Sequence, residues 1–433
     1  MHQRLRLASA LLFVAMVAAP MIAQPQTPAG AGLAALRSRV EALATELHPS
    51  VIEIRRDIHR NPELGFREKR TSALVAEKLR ALKFDEVRTA VGVTGVVGTL
   101  RGGRPGPVVA IRADMDALPI QEVNDVPYKS TVPNVKHACG HDSHTAIALG
   151  VAEIFSRMRA DLPGTVVFLF QPAEEGDPDG GKTGAVRVLE DWPLTNPTPT
   201  AIFGLHTQPA LRVGQIAYHS GPAMASSARF TLKIIGKSTH GAMPHTGVDP
   251  VPIAAQVVQA IQTIPARIID AQAPTVLSVG TISGGTRFNV IADSVTMTGT
   301  ARSLSETGIE TVKAKLTQMV QGITAASGAT FDLNFVASSP LVFNNPALVA
   351  ASLPALEAAV GKTNLSSPLA QMVSEDFAFY QQKIPGFFFF LGVGNAEKGI
   401  TAMWHTENFD LDEEALRVGM RAMAGVVLQY LNK

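Results

Sequence analysis

Apolar residues recur at helical spacing over residues 33–60, with charges between them, which predicts one or two helices. Asn61-Pro62-Glu63-Leu64-Gly65 ends that run, and residues 68–82 predict another amphipathic helix. Residues 96–100 and 108–111 are short β-rich runs bounded by glycine and proline. Helical spacing returns over 145–158. Residues 166–170 and 201–205 are continuous apolar runs, the pattern of strands buried on both faces. Strands alternating with helices predict an α/β fold layered on a central sheet.

The pattern changes near Met224. Residues 230–235 read as a strand, 250–264 as a helix, 276–282 and 294–302 as strands, 305–325 as a helix and 331–335 as a strand. That order suits a small sheet with helices on one face. Residues 224–336 are therefore read as a smaller α+β domain inserted between two parts of the main one, 33–223 and 337–433. After Pro346 the α/β pattern resumes, with a strand over 386–392 and a final helix over 412–431. Phe387 to Phe390 are expected to fill a buried strand.

The length, 433 residues, fits two or three structural units, and 46% hydrophobic with 17% charged residues excludes a disordered chain. Lys+Arg 38 against Asp+Glu 37 gives a net charge of +1, with no bias toward a polyanion, so nucleic acid is not an expected partner. A single cysteine rules out an intramolecular disulfide. At the N-terminus Arg4 and Arg6 precede an apolar run over 7–19 and small residues ending at Ala23. This is the pattern of a signal peptide over 1–23, followed by a linker over 24–32. The run is shorter than the ~20 residues of a spanning helix and Pro20 closes it, so no stable membrane anchor is expected. The expected destination is outside the cytoplasm, periplasmic or secreted.

Side chains that bind metals gather after the strands: Asp114 and Asp116 after the second short run, His137, Cys139, His141 and His144 further on, Glu174 and Glu175 after 166–170, then His206 and His405. Ligands of open α/β sheets collect beyond the carboxyl ends of the strands. Cys139 and His141 flank a glycine, so a tight turn lets both reach one pocket, and thiolate with imidazole suits zinc or a similar first-row metal. Pro172 and Gly176 turn the backbone around Glu174-Glu175, so one carboxylate can bind metal while the other acts on water. Hydrolysis needs that division: a metal acidifies water and a nearby base takes its proton. His59 is expected to fix a helix end, and His137 and His144 to support ligands without being ligands themselves.

Together these motifs resemble the co-catalytic metal amidohydrolases and carboxypeptidases, the family that includes aminoacylase, hippurate hydrolase and plant indole-acetyl-amino-acid hydrolases. They match its hippurate-hydrolase-like branch closely. The landmarks are 59–65, 112–119, Cys139-Gly140-His141-Asp142, 171–176, 236–245 and Ser374-Glu375-Asp376-Phe377. The resemblance implies a catalytic domain interrupted by a lid that also mediates homodimerisation. It implies two divalent metals, zinc first, with manganese, cobalt or nickel compatible. It implies Cys139, His141, Glu175, His206 and His405 as ligands, with Cys139 shared, and Asp116 and Asp114 orienting them. Glu174 would be the general base. His240 would reach across the dimer to the scissile carbonyl, and Asn289 and Arg302 would hold the substrate carboxylate. The reaction implied is hydrolysis of an N-acyl amino acid, or of the C-terminal residue of a short peptide.

Three other readings use the same residues. Cys139 with a nearby histidine could form a cysteine hydrolase, which a chelator would leave active. An exported binding protein would capture metal or peptide without releasing amine. A purely structural metal would make chelation unfold the chain.

Overall fold

The structure, a computed structural model, describes residues 29–433, and the elements and counts below are of those residues. The expected signal peptide lies outside them. The chain opens with α1 (Ala29–Arg60), one helix whose first residues fall within the stretch expected as linker. Leu36, Val40, Leu47 and Val51 on this helix are buried, and the helix runs back beyond them. Next come α2 (Lys69–Ala81), β1 (Glu86–Val91), β2 (Gly95–Arg101), β3 (Arg104–Asp114), α3 (His141–Arg157), β4 (Pro163–Gln171), α4 (Gly184–Asp191), β5 (Ala201–Arg212), β6 (Ile216–Ala217) and β7 (Gly221–Met224). The inserted unit holds β8 (Ser226–Ile235), β9 (Thr239–His240), α5 (Pro250–Ile261), β10 (Thr275–Gly284), β11 (Val290–Ile291), β12 (Ser294–Ser303), α6 (Gly308–Ala326) and β13 (Thr330–Ser339). The chain then returns through β14 (Val342–Asn344), α7 (Pro346–Val360), β15 (Leu365–Ser366), α8 (Ala378–Gln381), β16 (Gly386–Gly394) and α9 (Glu414–Leu431).

The central sheet has eight strands in the order β1-β2-β4-β3-β5-β16-β6-β15. Its middle, β4-β3-β5-β16, is parallel, and β2 and β6 flank it antiparallel. Both faces are covered, as a parallel sheet requires. One apolar core joins the sheet to α1, α3, α7 and α9, and a second, on the other face, takes in Val188, Trp192, Phe377 and Phe388. Phe387 to Phe390 are all buried, two toward each core, as the apolar run predicted.

The inserted unit has its own sheet, antiparallel in the order β10-β12-β8-β13, and its own core of Phe230, Leu232, Ile234, Val257, Met297 and Leu316. Strand β8 alternates buried and exposed positions from Ala228 on, the signature of a sheet covered on one face. The α/β main domain with an inserted α+β unit is thus the architecture of the chain. No helix among the described residues is long and apolar enough to cross a membrane.

Candidate metal centre

The three parallel strands β4-β3-β5 end on one side of the sheet, and their register fixes what meets there. Asp114, the last residue of β3, pairs with Gln171, the last of β4. The chain leaving β3 carries Asp116, the chain leaving β4 carries Glu174 and Glu175, and His206 lies on β5 beside Phe390 of β16. Helix α3 starts at His141, four residues before the apolar periodicity suggested, because its first turn carries polar site residues instead of core ones. Gly140 enters that helix at φ +97°, and a Cβ there would sit 2.6 Å from Thr207 Oγ1. Only glycine fits this turn, which sets Cys139 and His141 side by side. His405 joins from the loop before α9, its N–H donating to the Ala138 carbonyl at 2.8 Å.

The donor atoms converge as overlapping triads, each within 4.8 Å: Cys139, His141 and His206; Cys139, Glu175 and His405; His141, Glu174 and Glu175. Cys139 Sγ lies 3.4 Å from His206 Nε2, and His405 Nε2 lies 2.9 Å from Glu175 Oε1. All five residues expected as ligands are therefore gathered in one place, with Cys139 common to two triads. His141 Nδ1 is hydrogen-bonded to the Asp116 carbonyl at 2.9 Å, while its Nε2 is buried without a hydrogen-bond partner. An imidazole fixed through one nitrogen with the other unpaired is the arrangement of a metal-ligating histidine. The residues present fit two divalent cations.

A further triad, Asp114, His141 and His144, differs in kind. Asp114 accepts from Arg112 at 2.6 Å and lies 2.6 Å from His144 Nδ1, and His144 Nε2 accepts from the Thr207 N–H at 2.9 Å. Asp114 and His144 spend their polar atoms on protein partners. Asp114 is thus bound to His144 and lies 3.8 Å from His141 Nε2, whereas Asp116 touches both the His141 ring and the Glu174–Glu175 backbone.

The electrostatics follow from packing so many carboxylates without solvent. Burial pushes the Cys139 thiol well up, and the charges of Glu175, Glu174 and Asp114 push it further. Burial and the neighbouring Glu375, Glu175 and Asp376 hold Glu174 well above the usual carboxylate range. Burial alone would lower His141, but Asp114, Asp116 and Glu175 outweigh it and raise it to about 10. His206 is driven well down by burial and by His144. Without a cation the thiolate that either a nucleophile or a metal ligand needs is disfavoured, and the site's excess negative charge suits cations, which would favour it.

Four supporting features escaped the sequence reading. Glu68, fully buried, accepts from the Ala173 N–H at 2.8 Å and from Thr94 Oγ1 at 2.5 Å. With Asp116, it holds three successive N–H groups of the turn, in which Ala173 sits at φ +47°. Arg112 spans Gln171, Asp114, Glu375 and Asp376, all buried, and so ties β3 to the segment before α8. Thr207 packs under Gly140 and donates to the Cys139 carbonyl at 2.9 Å. His59, expected only to end a helix, is sandwiched between Asp142 at 2.8 Å and Glu122 at 3.1 Å. A buried Glu or Arg has no sequence signature.

A cavity of about 100 Å³ adjoins the donor set and is lined by Cys139, Glu174, Glu175, His206 and His405 together with apolar side chains. A larger one, about 550 Å³, lies where β8 and β13 meet the main domain and touches none of these residues. The lid residues His240, Asn289 and Arg302 are outside the 100 Å³ lining. His240 is exposed and pairs with Val290, next to Asn289, in the β9–β11 ladder. Arg302 on β12 donates to the Met372 carbonyl at 3.2 Å and to Ser374 Oγ at 3.3 Å, both through one nitrogen.

Residues 110–429 match the model of peptidase family M20/M25/M40. The chain belongs to that family. It is 40% identical over 390 residues to thermostable carboxypeptidase 2 of Saccharolobus solfataricus, covering 90% of this chain and 97% of the relative. It is 38% identical over 384 residues to N-acetylcysteine deacetylase of Bacillus subtilis, covering 89% and 97%. The solved structure of the Bacillus subtilis YXEP protein, described as a dinuclear metal binding peptidase, superposes with a TM-score of 0.77. Their identity is 36%, over 89% of this chain and 99% of that one. As an M20/M25/M40 member the chain is a metal-dependent hydrolase of amide bonds with a site for two divalent cations.

Proposed function

We propose that the chain hydrolyses N-acyl amino acids, and the C-terminal residue of short peptides, with Glu174 as general base. The observation that carries this reading is the pair of donor triads sharing Cys139, with Glu174 in a third triad beside them. Relatives named as a carboxypeptidase and as a deacetylase of an N-acetyl amino acid support the substrate class.

When bound by Cys139, His141, Glu175, His206 and His405, divalent cations supply Lewis acidity and lower the pKa of water. Glu174, in one triad with His141 and Glu175, is placed to take the proton of an attacking water and return it to the leaving amine. The Asp376 N–H, 3.4 Å from Glu174 Oε1, and the Asp116 carboxylate on the Glu174 N–H fix its position. Arg302 spends one nitrogen on Met372 and Ser374, which leaves its remaining N–H groups for a substrate carboxylate. Asn289 Oδ1 is buried without a hydrogen-bond partner and can accept from the substrate amide N–H. His240, exposed on the lid, would reach the carbonyl of a substrate in a second copy, which makes the working unit a homodimer. Zinc is the first metal to test and manganese the second, given thiolate, imidazole and carboxylate donors. The basic start and apolar run of residues 1–23 support export.

The test is amine release from N-acyl amino acids and dipeptides by the mature protein, before and after chelation and with single metals restored. Release lost on chelation and recovered with metal is expected. Release that survives complete metal removal would refute the reading and return Cys139 to candidacy.

A further inference from the structure

His405 differs from the other donors in how it is held. Its side chain is 52% exposed, whereas Cys139, His141 and His206 are buried. It lies in the loop 401–410, of which Phe409 alone is buried, and its backbone is left-handed at φ +59°. A non-glycine residue keeps that conformation only where its surroundings over-determine it.

The surroundings are supplied largely by one stretch of chain, residues 122–138, which forms no helix or strand. It grips the loop at successive points. The Ala138 carbonyl accepts from the His405 N–H at 2.8 Å. The Glu407 carbonyl accepts from Lys136 Nζ at 2.8 Å and from the Val123 N–H at 3.2 Å. Asn124 Nδ2 donates to the Phe409 carbonyl at 2.9 Å, and the Tyr128 hydroxyl donates to Asp410 at 2.9 Å.

Lys136 is the unusual member. Its side chain is fully buried, a placement lysine seldom takes unpaired. Glu122 Oε1 lies 3.5 Å away, yet the shorter contact goes to the carbonyl two residues past His405. From Glu122 the buried groups continue through His59 to Asp142, beside His141. Arg55 then joins Asp142 at 2.8 Å to Asp410 at 3.1 Å, back on the loop. The ring of charges thus ties the first turn of α3, which carries His141, to the loop that carries His405.

We propose that Lys136 is a positioning residue for His405: by holding the Glu407 carbonyl, it sets the imidazole for the cation shared with Cys139 and Glu175, and leaves the cation of Cys139, His141 and His206 untouched. The proposal rests on the reading of His405 as a ligand. Its test is calorimetric titration of zinc into the metal-stripped mature protein. Lys136→Met should weaken one of two equivalents by about 10–100-fold, the usual effect of losing a group that orients a ligand, and leave the other unchanged. His405→Ala should weaken the same equivalent. Adding Lys136→Met to that variant should weaken it no further, because the lysine acts through the histidine.

Tyr128→Phe deletes one hydroxyl and keeps the ring, so it should weaken the same equivalent by a smaller factor, and it decides the matter alone if Lys136→Met does not fold. An unchanged titration in these variants, or equal weakening of both equivalents, would overturn the proposal while His405→Ala still loses its equivalent. Two normal equivalents in His405→Ala would instead overturn the ligand reading, and the proposal with it.

Discussion

Asp116→Ala removes one side chain and two hydrogen-bond acceptors. Asp116 is 1% exposed, and its two oxygens accept from the Glu174 and Glu175 N–H groups, each at 3.0 Å. A buried N–H left without a partner costs about 1–3 kcal/mol, and bonds to a charged acceptor lie in the upper part of that range. Two such losses give about 3–5 kcal/mol. A partial offset comes from Glu68, pushed up to about 7 by burial and by the charge of Asp116, which the substitution removes. The net expectation is a loss of about 3 kcal/mol. Asp116→Asn keeps one acceptor and turns an amide donor toward the other N–H, so it should lose roughly half as much. Urea unfolding of metal-free protein, with chelator present throughout, isolates this term from metal binding. The expected order is wild type, then Asn, then Ala, and the metal-loaded Ala variant should also lose about 10–100-fold in activity. An Ala variant within about 1 kcal/mol of wild type and fully active would mean that the turn carrying Glu174 is held by something else.

Gly140→Ala forces a Cβ to within 2.6 Å of Thr207 Oγ1 at a left-handed φ. It should cost at least about 2 kcal/mol and reduce the metal found per chain after gel filtration; unchanged metal content would refute the geometric argument. Glu122 supplies a pH dependence. Burial would raise its pKa, but the hydrogen bond and charge of His59 outweigh that and bring it from 4.5 down to about 2. A lowered carboxylate stabilises the fold above its unfolded pKa and loses that contribution as pH falls from about 4.5 through about 2, an effect on the order of 3 kcal/mol. The stability gap between wild type and Glu122→Gln should therefore be present at pH 7 and shrink by pH 3; a gap independent of pH would contradict the assignment.

Much of this was legible in the order of residues because apolar periodicity reports burial directly. The buried run around Phe387 to Phe390 and the alternation in β8 each found their strand. Strand β1 was missed because Glu86, Arg88 and Thr89 at an exposed sheet edge carry no apolar signal. Helix α3 was started late for the related reason that its first turn, from His141 to His144, is buried but polar. The donor residues were found because Cys, His and adjacent Glu are scarce and bunched. Glu68, Arg112 and Thr207 were not, because their importance lies in contacts made across the sheet, from elements distant in sequence. Asp114 looked like a partner of the ligands, and only the structure shows it committed to Arg112 and His144.

Glu174 moves the proton at a site whose metals are held by other side chains, and turnover of Glu174→Gln, with metal content determined on the same sample, tests this. Two metal equivalents should be retained and kcat lowered by about 10²–10⁴, the usual contribution of a general base. Near-normal turnover with the metals in place would show that another group moves the proton.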